Sequence, residues 1–126
     1  MVFSLLINAG PQSAASYSAY QFVKALLEQG HAIYRVFFYC DGVYHGSTLH
    51  VAPQDELNLS EQWQSLALQD KVICIAAGLK RGIIDDAEAA RYQKPASNLA
   101  AGMDLSGLGQ LVDAAHASDR MLTFGA

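Results

Sequence analysis

Charge is scarce in this sequence. Charged residues occupy 16% of the 126 positions and hydrophobic residues 52%. A small domain has much surface to cover, so a surface this poor in charge is expected to meet other protein. No basic block is present and the net charge is −4. Affinity for a nucleic-acid backbone comes from neutralising phosphates, so a direct nucleic-acid reader is excluded. Cysteine is scarce too. Two cysteines make no disulfide scaffold, and 126 residues bury a core without one. No apolar run approaches the roughly 20 residues that span a bilayer. The run Met1–Ile7 lacks a basic n-region and is cut short by Asn8-Ala9-Gly10-Pro11, so it reads as a strand and not as a signal peptide. A reducing cytoplasm, where free thiols persist, is the expected location.

What is present alternates regularly. Residues 2–8 form a nearly continuous apolar run, as in strands buried on both faces. Ser13 or Ser16 caps a helix over 14–29, which Gly30 ends. The β-branched and aromatic residues of 31–40 read as the second strand, followed by a loop from Asp41-Gly42. Asn58 or Ser60 caps a helix carrying Leu59, Trp63, Leu66 and Ala67. The third strand is expected over 71–77. Acids at Asp85, Asp86 and Glu88 suit the first turn of a helix continuing to about Tyr92. A short strand near 103–105 precedes a helix opened by Ser106-Gly107-Leu108-Gly109, with Leu108, Leu111, Val112 and Ala115 expected inward. Residues 120–124 make a last strand. This βα alternation predicts one α/β domain over 1–126, a three-layer α/β/α arrangement on a mostly parallel five-stranded sheet with right-handed crossovers. Strand order does not follow from it.

Parallel sheets gather chemistry at the carboxyl ends of their strands. Those ends carry residues 8–13, 39–42 and 74–81. A cysteine inside an apolar strand such as Val72-Ile73-Cys74-Ile75 is ordinarily an inert packed residue. Two features pull the other way. Ala76-Ala77-Gly78 leaves room for a second molecule, and Lys80 and Arg81 supply positive charge that favours thiolate, the nucleophilic form. Cys40, at another strand end, reads as packing, with a resolving thiol or a second sulfur site as the alternatives. A Cys40–Cys74 bridge requires neighbouring strands and Cα atoms within about 7 Å. His45 and His50 flank a loop with Asp41 and Asp55, but no HxH or HxxxH spacing marks a metal site, so they read as solvated loop residues. His116 complements a helix dipole. The serines of 13–18 read as caps, since no glycine-rich phosphate cradle accompanies them. No GxSxG context supports a hydrolase triad.

Several blocks recur in a known order. They are Ser18-Ala19-Tyr20-Gln21-Phe22 with Gly30-His31, Val36-Phe37-Phe38-Tyr39 with Asp41-Gly42-Val43, and Cys74-Ile75-Ala76-Ala77 with Lys80-Arg81-Gly82-Ile83. Ser97-Asn98-Leu99 and Leu105-Ser106-Gly107-Leu108-Gly109-Gln110-Leu111 follow. With these the chain resembles the DsrE/TusD family of sulfur-relay proteins over essentially its whole length. The resemblance implies a DsrE-like fold and a cytoplasmic sulfurtransferase subunit. Cys74 aligns with the cysteine that accepts sulfane sulfur as a persulfide and passes it on, and Lys80 and Arg81 are expected to stabilise the anionic sulfur. No cofactor or metal is implied. The implied partners are TusB- and TusC-like subunits in a heterohexamer, a TusA-like donor and a TusE-like acceptor, on the way to 2-thiouridine at the tRNA wobble position. The alternative partners are DsrF- and DsrH-like subunits in sulfur oxidation. Cys40 departs from the family pattern, where a polar or charged residue is usual. Two further readings are a non-catalytic interaction subunit and a flavodoxin-shaped small-molecule binding module.

Overall fold

The computed structural model describes residues 1–67 and 72–125. Lys71, with which the sequence reading opens its third strand, lies outside the described residues. Five strands, β1 (Val2–Ile7), β2 (Ala32–Phe38), β3 (Val72–Ala76), β4 (Met103–Ser106) and β5 (Arg120–Phe124), form one sheet in the order β4-β3-β2-β1-β5. Every neighbouring pair is parallel. Helices α1 (Ala14–Glu28) and α2 (Leu59–Ala67) cover one face, and α4 (Gly109–Ala117) covers the other. A short helix α3 (Asp86–Arg91) lies between β3 and β4 in sequence. The chain moves outward from β1 to β4 and then returns past β1 to β5. That return must cross on the opposite face if the crossovers are to share one hand, which is why α4 stands apart from α1.

Local chemistry sets the elements. Ser13 takes extended backbone and its Oγ accepts from the Ala15 amide, the expected cap of α1. Gly30, at φ +84°, ends the helix while His31 donates back to the Leu26 carbonyl. Asn58 Oδ1 accepts from the Glu61 amide at the start of α2, and Asp85 Oδ1 from the Glu88 amide at the start of α3. Residues 40–46 differ from the expected open loop. They form a 3-10 helix, because Gly42 and Gly46 let its backbone lie directly on the sheet.

The larger core lies under α1 and α2, where Leu5, Ile7, Val36, Phe38, Ile73 and Ile75 meet Val23 and Trp63. Trp63 packs edge-on against both Tyr20 and Phe38. The opposite face buries less. There α4 sinks only Ala114 completely and packs Leu111 against the sheet. Leu108 and Val112 are 51% and 58% exposed, and Ala115 is exposed as well. The expectation that these three point inward is therefore corrected. Arg35 rises from β2 and bonds Gln110 and Asp113, which rotates the helix so that Leu111 and Ala114 meet the sheet instead.

Candidate functional site

The three carboxyl-end loops do come together on one edge. Gly10 lies against Asp41, and a Cβ on Gly42 would stand 2.0 Å from the Ile7 carbonyl oxygen. Arg81, in the 3-10 turn after β3, donates to Asp41 and lies 5.9 Å from the Tyr44 ring centre. That hydrogen bond to Asp41 raises the Arg81 guanidinium further above its ordinary value. Two neighbouring strands leave the sheet through non-glycine residues with left-handed backbone, Cys40 at φ 51° and Ala77 at φ 59°. Each such residue costs roughly 1–3 kcal/mol, which the surrounding structure must offset.

Cys74 lies in the middle of β3, not at its end. In the sheet it sits between Phe37 of β2 and Asp104 of β4. Its side chain points to the α4 face, in a cluster with Phe37 and Ala76 against which Leu6, Tyr39 and Leu111 pack. The residue is only 2% exposed. Asp104, next to it on the edge strand, is exposed. The sequence reading brings Cys74, Lys80 and Arg81 together; the structure spreads them out. Lys80 is exposed at the rim, and Arg81 is turned to Asp41 and Tyr44.

The small residues beyond Cys74 serve packing as well as space. Ala76 is buried beside the thiol. A Cβ on Gly78 would already press on Ile75 and Ile83 at 3.0 and 3.2 Å. A recess of about 170 Å³ does open there, lined by Ala77, Gly78, Leu79, Leu105 and their neighbours. Ile75 and Leu105 point away from the α4 face, so this recess does not open on the sulfur of Cys74.

Cys40 and Cys74 are both free thiols, the first exposed and the second buried. Their strands are neighbours, but Cys74 pairs with Phe37, and Cys40 lies three residues further along extended chain. That offset is about 10 Å at strand rise, beyond the roughly 7 Å limit for a bridge.

His45 corrects the sequence reading most sharply. It is fully buried, not solvated. Its ring stacks on Phe38, and its Nε2 lies 3.1 Å from the Ala9 carbonyl oxygen and 3.0 Å from Ser16 Oγ. Burial pushes its pKa down to about 4, against the smaller opposing pull of the Ala9 carbonyl. Ser16 is equally buried, its hydroxyl held by the Ala9 and Gly10 carbonyls. His50 is half-buried, with Nε2 2.6 Å from the Tyr44 carbonyl oxygen. Among the described residues no group of three or more His, Cys, Asp or Glu side chains is arranged to hold a metal. No helix among them is long and apolar enough to cross a membrane.

Arg35, Tyr34 and Asp113 were not singled out from the sequence. The available signal was Arg35 itself, a cation inside an otherwise apolar strand, which must find partners if the strand is covered.

The model of the DsrE/DsrF-like family matches residues 1–124. The chain is 51% identical over 129 residues to a protein of Allochromatium vinosum named putative sulfurtransferase DsrE, covering 99% of each. It is 44% identical over 128 residues to a sulfurtransferase TusD homolog of Pseudomonas aeruginosa, covering 99% of this chain and 98% of the other. Its fold is that of the ychN protein from E. coli, with a TM-score of 0.71 at 18% identity, covering 98% of this chain and 97% of that one.

Proposed function

This chain belongs to the DsrE/DsrF-like family, and from that premise we propose that it is a sulfurtransferase subunit of a sulfur relay in which Cys74 carries sulfane sulfur as a persulfide. The observation that carries this reading is a strand-borne thiol in a chain whose relatives, matched end to end, are named sulfurtransferases. The Cys74 thiolate attacks the outer sulfur of a donor persulfide. A bond forms between Cys74 Sγ and that sulfur, the donor S–S bond breaks, and the donor leaves as thiolate and takes up a proton. An acceptor thiolate then attacks the outer sulfur on Cys74, and Cys74 leaves as thiolate. The sulfur keeps its oxidation level in both steps, so no external oxidant or reductant is consumed. Lys80, exposed at the rim and without an ion pair among the described residues, can meet an incoming anionic sulfur, while Arg81 contributes through the Asp41 and Tyr44 contacts that order the edge.

The reading extends to a single sulfurtransferase domain over 1–126, working in the cytoplasm within a heterohexamer with TusB- and TusC-like subunits. A TusA-like protein supplies the sulfur and a TusE-like protein receives it, toward 2-thiouridine at the tRNA wobble position. A second reading, a DsrE-type subunit with DsrF- and DsrH-like partners in sulfur oxidation, is favoured by the higher identity to the A. vinosum protein. The two share one chemistry. Incubation with a persulfide donor followed by intact mass measurement tests it: wild type gains about 32 Da and Cys74→Ser does not. Equal gain by both, or gain by neither, overturns the assignment. Restoration of tRNA 2-thiouridine in cells lacking their own TusD subunit then separates the first pathway from the second.

A further inference from the structure

A thiol that exchanges sulfur needs a line of approach along the S–S bond, and Cys74, only 2% exposed, has none open among the described residues. Its side chain points to the face that α4 covers and is buried in a cluster with Phe37 and Ala76, and Leu111 of α4 packs on that cluster. Little apolar burial holds α4 there, since Ala114 is its one fully buried residue. Polar bonds do the rest. Arg35 Nη1 donates to the Gln110 carbonyl at 2.7 Å and to Asp113 Oδ2 at 3.0 Å, and the Tyr34 hydroxyl donates to the same Asp113 oxygen at 2.6 Å. These contacts bracket Leu111 on both sides in sequence. They depend on an irregularity in the sheet: the β1–β2 register steps from Phe3↔Ile33 to Ser4↔Arg35, so Tyr34 is the extra residue and both it and Arg35 reach Asp113. The Tyr34 hydroxyl and Arg35 hold the Asp113 carboxyl below its usual value. Gly107 lies just before α4 and Gly109 opens its first turn, and no atom of the described residues crowds Gly109. The helix entry therefore has little to resist a shift.

We propose that Leu111 is the cover that closes Cys74 in the resting subunit, and that Arg35, through Gln110 and Asp113, is the positioning residue that keeps the cover closed. Sulfur exchange then requires release of the first turn of α4, an opening confined to one helix while the larger core beneath α1 and α2 stays intact. The inference rests on the persulfide reading for its purpose but not for its test.

The test uses the full chain carrying Cys40→Ser, so that Cys74 is its one thiol, and the aromatic disulfide reagent 5,5′-dithiobis(2-nitrobenzoate). Wild-type Cys74 is expected to react slowly, and with a weaker urea dependence than global unfolding. Leu111→Ala, Arg35→Gln and the near-isosteric Asp113→Asn are expected to speed the reaction by about tenfold or more, the scale of losing a hydrogen bond to a charged group. Arg35→Lys should restore part of the protection, which a merely structural role would not predict. Labelling of wild-type Cys74 as fast as exposed Cys40, or unchanged rates in all three variants, overturns the cover. A wild-type rate that follows global unfolding overturns the local opening. The persulfide reading fails separately, if opened variants label rapidly yet gain no sulfur from a persulfide donor.

Discussion

The Nε2 atom of His45 lies 3.0 Å from the Ser16 hydroxyl oxygen, inside the fold and out of reach of water. With the Ser16 hydroxyl donating to the Gly10 or Ala9 carbonyl, the network fits a neutral imidazole protonated on Nε2. Nδ1 is then buried without a partner among the described residues. This pair joins the loop after β1, the start of α1 and the 3-10 helix Cys40–Gly46, the segments that shape the carboxyl edge.

Acid should therefore weaken the fold through His45. Its folded value, pushed down to about 4, lies below the ordinary 6.5, so the folded state favours the neutral ring. The contribution is complete above pH 6.5 and is lost as the pH falls toward 4. Between pH 7 and pH 5 it amounts to about 2 kcal/mol. Urea denaturation at the two pH values should show that loss in wild type and a clearly smaller one in His45→Gln. Equal losses would place the acid sensitivity elsewhere.

Gly42, on the carboxyl edge, and Gly30, at the end of α1, are predicted to differ. Gly42→Ala would set a Cβ 2.0 Å from the backbone oxygen of Ile7, which cannot move without shifting β1. The variant should lose about 3 kcal/mol or more, or fail to accumulate as folded protein. Gly30 has nothing within 4 Å but a φ of +84°, so Gly30→Ala should cost only about 1 kcal/mol of left-handed strain. Thermal unfolding of the two variants separates the cost of a backbone clash beneath the 3-10 helix from that of left-handed strain alone.

The elements set by local chemistry were legible in the sequence. Ser13 and Gly30 bound α1, and Arg120–Phe124 forms β5, each as the residues imply. The carboxyl-edge loops were legible once the sheet was read as parallel. What depends on which strand lies beneath which residue was not. His45 reads as a loop histidine until the loop folds down on Phe38. Arg81 reads as a partner for Cys74 until Asp41, from the neighbouring strand's loop, takes it up. The rotation of α4 depends on Arg35, and strand order alone puts Arg35 under it.

That rotation has its own test. Leu108, Leu111, Val112 and Ala115 have the spacing of one helical stripe, yet Leu108 and Val112 face out. Leu108→Ser and Val112→Ser should each change the stability of the isolated subunit by no more than about 0.5 kcal/mol, as surface changes do. Ala114→Gln, forced into a fully buried site, should cost about 2 kcal/mol. Urea midpoints in the reverse order would restore the inward stripe that the sequence suggests.

Oxidation should link chains, not close an internal bridge. Cys40 is exposed at the rim, while Cys74 is buried about 10 Å further down the strand direction, in the cluster with Phe37 and Ala76. A disulfide between them would require β2 and β3 to slide by three residues, breaking the register that buries Phe37 and Phe38. Mild oxidation of the native protein should therefore give a dimer on a non-reducing gel, and Cys40→Ser should abolish it. Peptide mapping should find the Cys40–Cys74 link only when the chain is oxidised in urea, where the strands no longer hold the two thiols apart. Recovery of that link from protein kept native throughout would mean that β3 moves against β2 as a whole, and Cys74 would then be reached from the sheet edge without any movement of α4.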